Sequence, residues 1–240
     1  MRYALSILAL TVFSAQGVAQ EVEEIVVTGA AIRSELPGKH LRRSADNLLL
    51  RVQIVNDSRE EGQREQEIHE TLLAAIKAAD KNRNIELSSV TDSGFVVPLN
   101  ESNYRIELEP GGRPDTSQAF FRAKSAVPSS PDDGEALVLE LRRFIADLDM
   151  VGRTQVFADG DVEVSIVNPG QYREQAIKLF AEDVKAVTSA LGDDYRVVVE
   201  GINRPIEWAR AGSLTVAIYI PYTYMVVPTT VSGITIIPDY

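Results

Sequence analysis

The two histidines are the first residues of this sequence to consider for chemistry. His40 lies in a polar stretch and His69 lies inside a predicted helix. Nucleophilic catalysis by serine needs a histidine beside the nucleophile, and the chain contains no nucleophile-elbow sequence. Two histidines without any cysteine also make a histidine-rich or thiolate metal site improbable. The sequence therefore predicts no catalytic and no metal-binding residue of these kinds.

Two aspartate pairs come next, because paired carboxylates can hydrolyse glycosidic and phosphate bonds. Asp159 and Asp161 flank Gly160, and Asp193-Asp194 follows Gly192. Aspartate beside glycine is typical of turns. Asp159-Gly160-Asp161 also resembles part of a calcium loop, but the remaining ligands and the terminal glutamate are absent from the sequence that follows. We interpret both pairs as turns and predict a non-enzymatic protein without a cofactor.

Two further sets of residues have both a functional and a plain structural interpretation. The string GGRP at residues 111–114 could cradle an anion, but it lacks phosphate-loop spacing, so a turn is favoured. Trp208, Tyr222 and Tyr224 could line a pocket, but packing in a core or an interface is favoured. We therefore assign no binding residue to either set.

Composition and charge exclude several classes of partner. The chain has 240 residues and a formal net charge of -11. Binding to nucleic acid or to anionic lipid needs a basic surface, so neither partner is expected. The absence of cysteine rules out disulfides, a catalytic thiol and lipid attachment through an N-terminal cysteine. The hydrophobic share of 45% is that of an ordinary globular protein.

The first 19 residues have the three parts of a secretory signal peptide. Arg2 supplies the positive charge, residues 4–13 supply a short apolar core, and Gly17-Val18-Ala19 supplies small residues before a cut at Gln20. The apolar core is too short to span a bilayer as a mature helix. The pattern predicts an exported protein, periplasmic or associated with the outer envelope, without an integral membrane span after cleavage.

Three amphipathic helices are predicted from apolar residues at three- and four-residue steps. The first covers residues 58–79, with Ser58 and Glu61 as a capping box and a polar first half expected to face solvent. The second begins at Ser130-Pro131. The third begins with Asn168 as N-cap and ends at Gly192. Their apolar stripes are, in order, Ile68, Leu72, Ile76 and Ala79; Leu137, Leu141, Phe144 and Leu148; Ile177, Phe180, Val184, Val187 and Leu191.

Strands are predicted where β-branched and aromatic residues alternate or cluster. The turn signal Asp159-Gly160 predicts a hairpin between two of them. The run Val197-Val198-Val199 predicts a buried strand. The predicted strands are residues 25–28, 48–55, 85–90, 95–97, 104–108, 117–127, 154–157, 162–167 and 197–199.

The last long apolar stretch, residues 214–227, allows two interpretations. Its alternation predicts one long strand, and Pro221 places that strand at a sheet edge or at a bulge. One interpretation is an ordinary sheet member. The other is an apolar edge that pairs with a second subunit. The apolar tail at residues 229–240 is expected to dock or to exchange.

Several strings together resemble the SIMPL-domain family. They are VTGAAIR, then LLLRVQIVNDSREEGQREQEIHETLLAAIKAA, then YREQAIKLFAEDVKAVTSALG followed by DDYRVVVEGI. The resemblance implies an exported α+β protein with an antiparallel or mixed sheet packed by three amphipathic helices, often self-associating, with no established catalytic residues. Together with the signal peptide (1–19), it predicts an N-terminal strand and polar linker (20–46), a domain (47–228) and a tail (229–240). The domain is either one body or two lobes, 47–127 and 128–228.

A shorter string, EEIVVTGAAIR, resembles the start of TonB-dependent receptor plug domains. A complete receptor needs a long series of barrel strands, and three predicted helices occupy the middle of this chain. Two hypotheses therefore remain. The first is a non-enzymatic envelope protein that self-associates through its C-terminal strand or binds an envelope partner. The alternative is a receptor-related or small-ligand binding module of the periplasm.

Overall fold

The computed structural model describes residues 23–27, 38–128 and 134–231. Within them the chain forms three α-helices and three sheets, and every strand pair is antiparallel. The predicted α+β class is confirmed at this level. The predicted signal peptide, the helix start at Ser130-Pro131 and most of the predicted tail lie outside the described residues.

Within the described residues, the three helices separate twelve strands into groups of three, four, one and four. A short 3₁₀ turn, Pro169–Tyr172, precedes the third helix. The helices are α1 (Glu61–Lys81), α2 (Gly134–Ala146) and α3 (Arg173–Leu191). The strands are β1 (Glu24–Val27), β2 (Leu41–Ser44), β3 (Asn47–Asn56), β4 (Glu86–Val90), β5 (Val96–Pro98), β6 (Glu109–Pro110), β7 (Ser117–Ala126), β8 (Thr154–Val167), β9 (Tyr195–Glu200), β10 (Glu207–Arg210), β11 (Thr215–Tyr219) and β12 (Thr223–Pro228).

The largest sheet has the order β1-β8-β3-β7-β4-β5, with β6 beside β7. Its two outer strands approach each other. Ile25 bridges Phe95, and the backbone N–H of Val26 donates to the carbonyl of Gly94 at 3.2 Å. The sheet is therefore rolled toward a closed barrel. The sheet also contains strands from both sides of residues 127–128, where the two predicted lobes would meet, because β3 pairs with both β7 and β8.

The main core lies between β3 and the first two helices. Leu50, Val52 and Ile54 are fully buried on one face of β3, as their alternation predicted. The stripe of α1 is buried against this face, and Leu141 of α2 is buried with it. Leu49, on the opposite face, is buried inside the roll with Val26 and Val96.

The hairpin predicted at Asp159-Gly160 is wrong. Residues 154–167 form one long strand, β8, and both of its halves pair with β3. The register shifts there, because Leu50 lies opposite Val162 while Val52 lies opposite Ala158. Gly160 has a φ of +79°, which a bulge accommodates as well as a turn does. The turn signal therefore marks a bulge inside a strand.

The predicted start of the first helix is also wrong. α1 begins at Glu61, its N-cap residue is Glu60, and no side chain caps it. The hydroxyl of Ser58 donates to the carboxylate of Glu67 instead. The polar first half of α1 is not wholly in solvent either, since Arg64 and Glu67 are buried. A tertiary contact has displaced the local capping interaction.

The long C-terminal strand predicted over residues 214–227 is two strands in different sheets. β11 is the middle strand of the order β10-β11-β2, and Val216 and Ile218 on it are fully buried. β12 pairs only with β9. The break falls at Pro221, where proline interrupts the ladder. The polar strand β2 was not predicted, and residues 104–108 form no strand.

The third helix is less buried than its stripe predicted. Asn168 is in the left-handed region with a φ of 48° and makes no capping bond, and α3 begins only at Arg173. Only Ala176 and Phe180 are buried on α3. Val197, Val198 and Val199 are half-buried, so the strand they form is not the buried strand that was predicted. The far end of α3 and the strand after it lie at the surface.

A candidate interaction surface

The strands β9 and β12 form a two-stranded ribbon that stands apart from the larger sheets. Their register runs from Tyr195 opposite Pro228 to Glu200 opposite Thr223. Two strands alone are marginally stable in water, so the ribbon needs support from the rest of the fold. Tyr222, just before β12, supplies part of that support. Its ring meets the ring of Phe180 edge-on at 4.6 Å, and its hydroxyl donates to the carboxylate of Asp183.

The Tyr222 hydroxyl acts only as a donor in this contact. Burial and the adjacent Asp183 carboxylate raise the pKa of Tyr222 well above its usual range, because both disfavour the phenolate. The Tyr222 hydroxyl therefore keeps its proton at neutral pH and donates it to Asp183. It joins the ribbon to the buried half of α3.

One face of the ribbon, which we call the apolar face, carries no polar side chain apart from tyrosine hydroxyls. Residues opposite each other in an antiparallel pair share a face. The apolar face therefore consists of three cross-strand pairs: Tyr195 with Pro228, Val197 with Val226, and Val199 with Tyr224. Tyr195, Tyr224 and Val226 are 42%, 47% and 38% exposed. Contiguous exposed apolar side chains of this kind mark interaction sites on soluble proteins.

The exit from β9 depends on a glycine. Gly201 has a φ of +96°, and a Cβ placed there would lie 2.5 Å from the carbonyl oxygen of Pro221. Such a contact is too short for any side-chain carbon, so only glycine allows the chain to leave β9 beside the start of β12. This close approach sets the geometry of the ribbon at its inner end.

The outer edge of β9 has unpaired backbone groups. The N–H of Thr229 donates to the carbonyl of Asp194 at 2.9 Å, which extends the β12–β9 ladder by one pair. Because inward and outward backbone groups alternate along a strand, the groups of Val197 and Val199 point away from β12. Within the described residues, no backbone or side-chain group bonds to them.

Both charged residues of β9 also lack an ion-pair partner among the described residues. Arg196 donates to the carbonyl of Val231, and Glu200 makes no described hydrogen bond. The two side chains lie on the same face, opposite Val227 and Thr223. The ribbon therefore combines an apolar face, a free edge and two uncompensated opposite charges.

The histidines considered for catalysis have structural contacts. The Nε2 of His69 lies 3.1 Å from the carbonyl of Ile106, and its ring meets the ring of Tyr104. The Nε2 of His40 accepts a hydrogen bond from Arg42 at 3.2 Å. None of these partners is a nucleophile.

The aspartate pairs are placed in different surroundings and do not converge. Asp159, in the bulge of β8, lies 3.6 Å from the Nε of Arg51. Asp193 and Asp194 lie in the turn between α3 and β9. Among the described residues, no group of three or more histidine, aspartate or glutamate side chains is arranged to hold a metal ion.

The remaining candidates also have structural roles. Residues 111–114 lie in a turn that Thr116 closes, since the N–H of Gly111 donates to its carbonyl at 2.8 Å. Trp208 packs on the main core, whereas Tyr224 lies on the apolar face of the ribbon. The three aromatic residues therefore do not line one shared pocket.

A buried carboxylate with a strongly lowered pKa, Glu67, was not revealed by the sequence. Glu67 accepts hydrogen bonds from the backbone N–H of Arg153 at 3.0 Å, Asn56 at 2.7 Å, Gln63 at 2.7 Å and Ser58 at 2.8 Å. These donors lower the pKa of Glu67 to about 2. A carboxylate held so firmly in its charged form is a poor base. We interpret it as the anchor of α1 to the ends of β3 and β8.

A second buried polar cluster lies at the rolled end of the large sheet. The Nζ of Lys124 bonds to Glu24 at 2.9 Å and to Glu86 at 2.8 Å. Burial disfavours the charged lysine, but the hydrogen bonds that Lys124 donates to Glu86 and Glu24 outweigh this effect and raise the pKa of Lys124. Glu24 also accepts from Asn47 and Ser165. The cluster ties β1 to β3, β7 and β8 and, through Lys124, to β4.

An open cavity of about 650 Å³ lies between the start of α2 and the loop after β10. Arg210 is the one cation that lines it. Its guanidinium already donates to the carbonyls of Val162, Gly212 and Ser213. The arginine therefore holds the loop in place and is not free for a ligand, and Glu135 is the other charged residue among those that line the cavity.

Comparison with known proteins adds no relative. No family model matches the chain, and no curated protein and no solved structure matches it either. None of the described helices combines the length and the apolar character needed to cross a bilayer. The fold and the surface define an α+β protein with a rolled antiparallel sheet and a projecting apolar ribbon.

Proposed function

We propose that this is an exported, non-enzymatic protein of the periplasm or cell envelope that acts by self-association through the β9–β12 ribbon. The proposal joins three arguments. The N-terminal residues have the pattern of a signal peptide. The internal strings resemble the self-associating SIMPL-domain family. The ribbon offers a surface that suits a protein partner.

The observation that carries the proposal is the apolar face of the ribbon. Tyr195, Tyr224 and Val226 are exposed on it side by side, and Met225 on the reverse side is 55% exposed. A ribbon of only two strands gains little from burial within its own chain. A second copy would give the ribbon further strands, and a further layer stacked on them would cover this surface. The charge of -11 keeps the chain soluble, so association has to be local and specific.

The alternative, a receptor-related or small-ligand binding module, stays a prediction without a supporting contact. All four residues of β1, the strand within the receptor-like string, are buried in the large sheet. A buried strand accounts for residues 24–27 of that string without a coupling partner. The arginine beside the 650 Å³ cavity is fully engaged by carbonyls.

Light scattering on the mature protein tests the proposal. We expect a mass above that of the monomer, falling on dilution from about 100 to about 1 µM, where weak interfaces dissociate. Tyr224→Lys should lower the mass of any assembly that buries the apolar face, because it places a charge on that face. Phe157→Lys is a matched control, because Phe157 is also a strand residue and is also 47% exposed. A wild-type monomer at the highest concentration would refute self-association.

A further inference from the structure

We propose that two copies of this chain pair through the outer edges of their β9 strands, antiparallel and about a two-fold axis at Val198. The partner is thus a second copy, and the product is a continuous sheet in the order β12-β9-β9-β12. This inference rests on the proposed self-association and specifies the edge, the register and the symmetry.

The edge of β12 is the less suitable of the two outer edges. The ladder bond from Thr229 to Asp194 turns the carbonyl of Pro228 away from β9. That carbonyl accepts the N–H of Val231 at 3.0 Å, so a turn already occupies this end of the outer edge of β12. Pro228 also has no N–H to offer. The outer edge of β9 contains no proline, and the turn at its start, in which the N–H of Tyr195 donates to the carbonyl of Gly192 at 3.3 Å, leaves the outward groups of Val197 and Val199 without a described partner.

The backbone of β9 suits a two-fold pairing at Val198. In this register Val197 of one copy lies opposite Val199 of the other. These are the two residues whose N–H and carbonyl groups point outward and have no described partner. Two such pairs form by symmetry, and each hydrogen-bonded pair of an antiparallel ladder exchanges two bonds. The dimer would therefore satisfy the two outward N–H groups of each copy, which makes four in all.

The charges of β9 select this register among the symmetric alternatives. With Val198 at the axis, Arg196 of each copy lies opposite Glu200 of the other. Moving the axis to Val197 places Arg196 opposite Val198, and moving it to Val199 places Glu200 opposite Val198. Only the register at Val198 pairs both charges, and it does so twice. These are non-hydrogen-bonded pairs, in which side chains come closest.

The same pairing extends the apolar face. Residues 195, 197 and 199 of the two copies would lie side by side across the axis, flanked by Val226 and Tyr224 of each β12. Strand pairing alone leaves this side of the sheet exposed, and it doubles the apolar area offered to a further layer. The dimer is therefore a unit from which larger assemblies can grow.

Charge exchange tests the register. Arg196→Glu and Glu200→Arg each place like charges opposite each other twice, so each should weaken dimerisation about tenfold, given the known strength of cross-strand charge pairs. The double variant restores opposite charges and should bind within about threefold of the wild type. Arg142→Glu, an exposed change on α2, controls for net charge. A double variant as weak as the singles would overturn the Arg196–Glu200 contact.

Cross-linking tests the axis directly, because the natural chain has no cysteine. Val198→Cys places two thiols opposite each other in a non-hydrogen-bonded pair, where the strand spacing suits a disulfide. Mild oxidation of Val198→Cys should give a covalent dimer. Val226→Cys, at a more exposed position, should give no covalent dimer on the same time scale. Dimeric wild type with no selective cross-link at residue 198 would reject the β9 edge and leave self-association intact. A monomeric wild type would reject both proposals.

Discussion

Gly152 and Glu67 fit together so closely that a side chain at position 152 would displace the Glu67 carboxylate. A Cβ built on Gly152 would lie 2.1 Å from the Cδ of Glu67, and Gly152 has a φ of +59°. The next residue, Arg153, donates its backbone N–H to the same carboxylate. The loop before β8 is thus shaped around a side chain from α1.

Gly152→Ala should lower the free energy of unfolding by about 3 kcal/mol, from left-handed strain together with displacement of the Glu67 carboxylate. Gly160→Ala is the matched control. Its φ is +79°, but a Cβ there meets nothing within 4 Å, so only the strain of about 1 kcal/mol applies. Urea denaturation of the two variants measures the difference. Equal losses would show that Glu67 does not require the space at Gly152.

The Glu67 carboxylate should make stability depend on pH in the acid range. Its pKa is lowered from 4.5 to about 2 by its hydrogen bonds, so the folded state prefers the charged form. The stabilisation is fully present above 4.5 and is lost as the pH falls toward about 2. Glu67→Gln should cost about 1–3 kcal/mol at neutral pH, because buried donors lose their acceptors.

The gap between wild type and Glu67→Gln should therefore narrow as the pH falls from about 5 to about 2. Denaturation midpoints measured across this range check the expectation. A gap that stays constant with pH would mean that the loss comes from packing and not from the charge of Glu67.

The two ends of α3 should respond differently to truncation. Phe180 is buried and contacts Tyr222, so Phe180→Ala should cost about 3–5 kcal/mol. Leu191 is 38% exposed, so Leu191→Ala should cost less than about 1 kcal/mol. Lys185→Ala, on an exposed position of the same helix, should cost least. Thermal unfolding ranks the three, and comparable losses at Phe180 and Leu191 would show that the end of α3 is buried in solution.

Export should leave a mature chain that begins at Gln20 or within a few residues of it. The charge at Arg2, the apolar residues 4–13 and the small residues Gly17 and Ala19 are the reasons. Mass spectrometry of the protein recovered from the periplasmic fraction locates the cut. Intact Met1 on protein found in the cytosol would contradict export.

Local patterns predicted those elements whose burial follows from their own periodicity. β3 was predicted from the alternation of Leu50, Val52 and Ile54, and these residues are buried as expected. The apolar stripe of α1 was predicted equally well. Each element has one continuous apolar side, and the hydrophobic effect favours burying that side in the core.

Patterns failed where a distant partner changed what a residue does. Ser58 has the spacing of a helix cap, yet its hydroxyl donates to Glu67 instead. The Asp159-Gly160 turn signal marks a bulge, because β3 is long enough to pair with both halves of β8. β2 is polar and became a strand because β11 offered it an edge.

The candidate surface divides in the same way. The sequence by itself determined that residues 195–200 and 223–228 have strand-forming side chains, and it determined the order of charges Arg196 and Glu200 that makes β9 complementary to itself. Only the tertiary structure decided that the 214–227 stretch breaks at Pro221, that β12 joins β9, and that the apolar face of this ribbon stays exposed. The physical reason is that alternation tells which side chains share a face, whereas covering that face depends on elements far away in the chain.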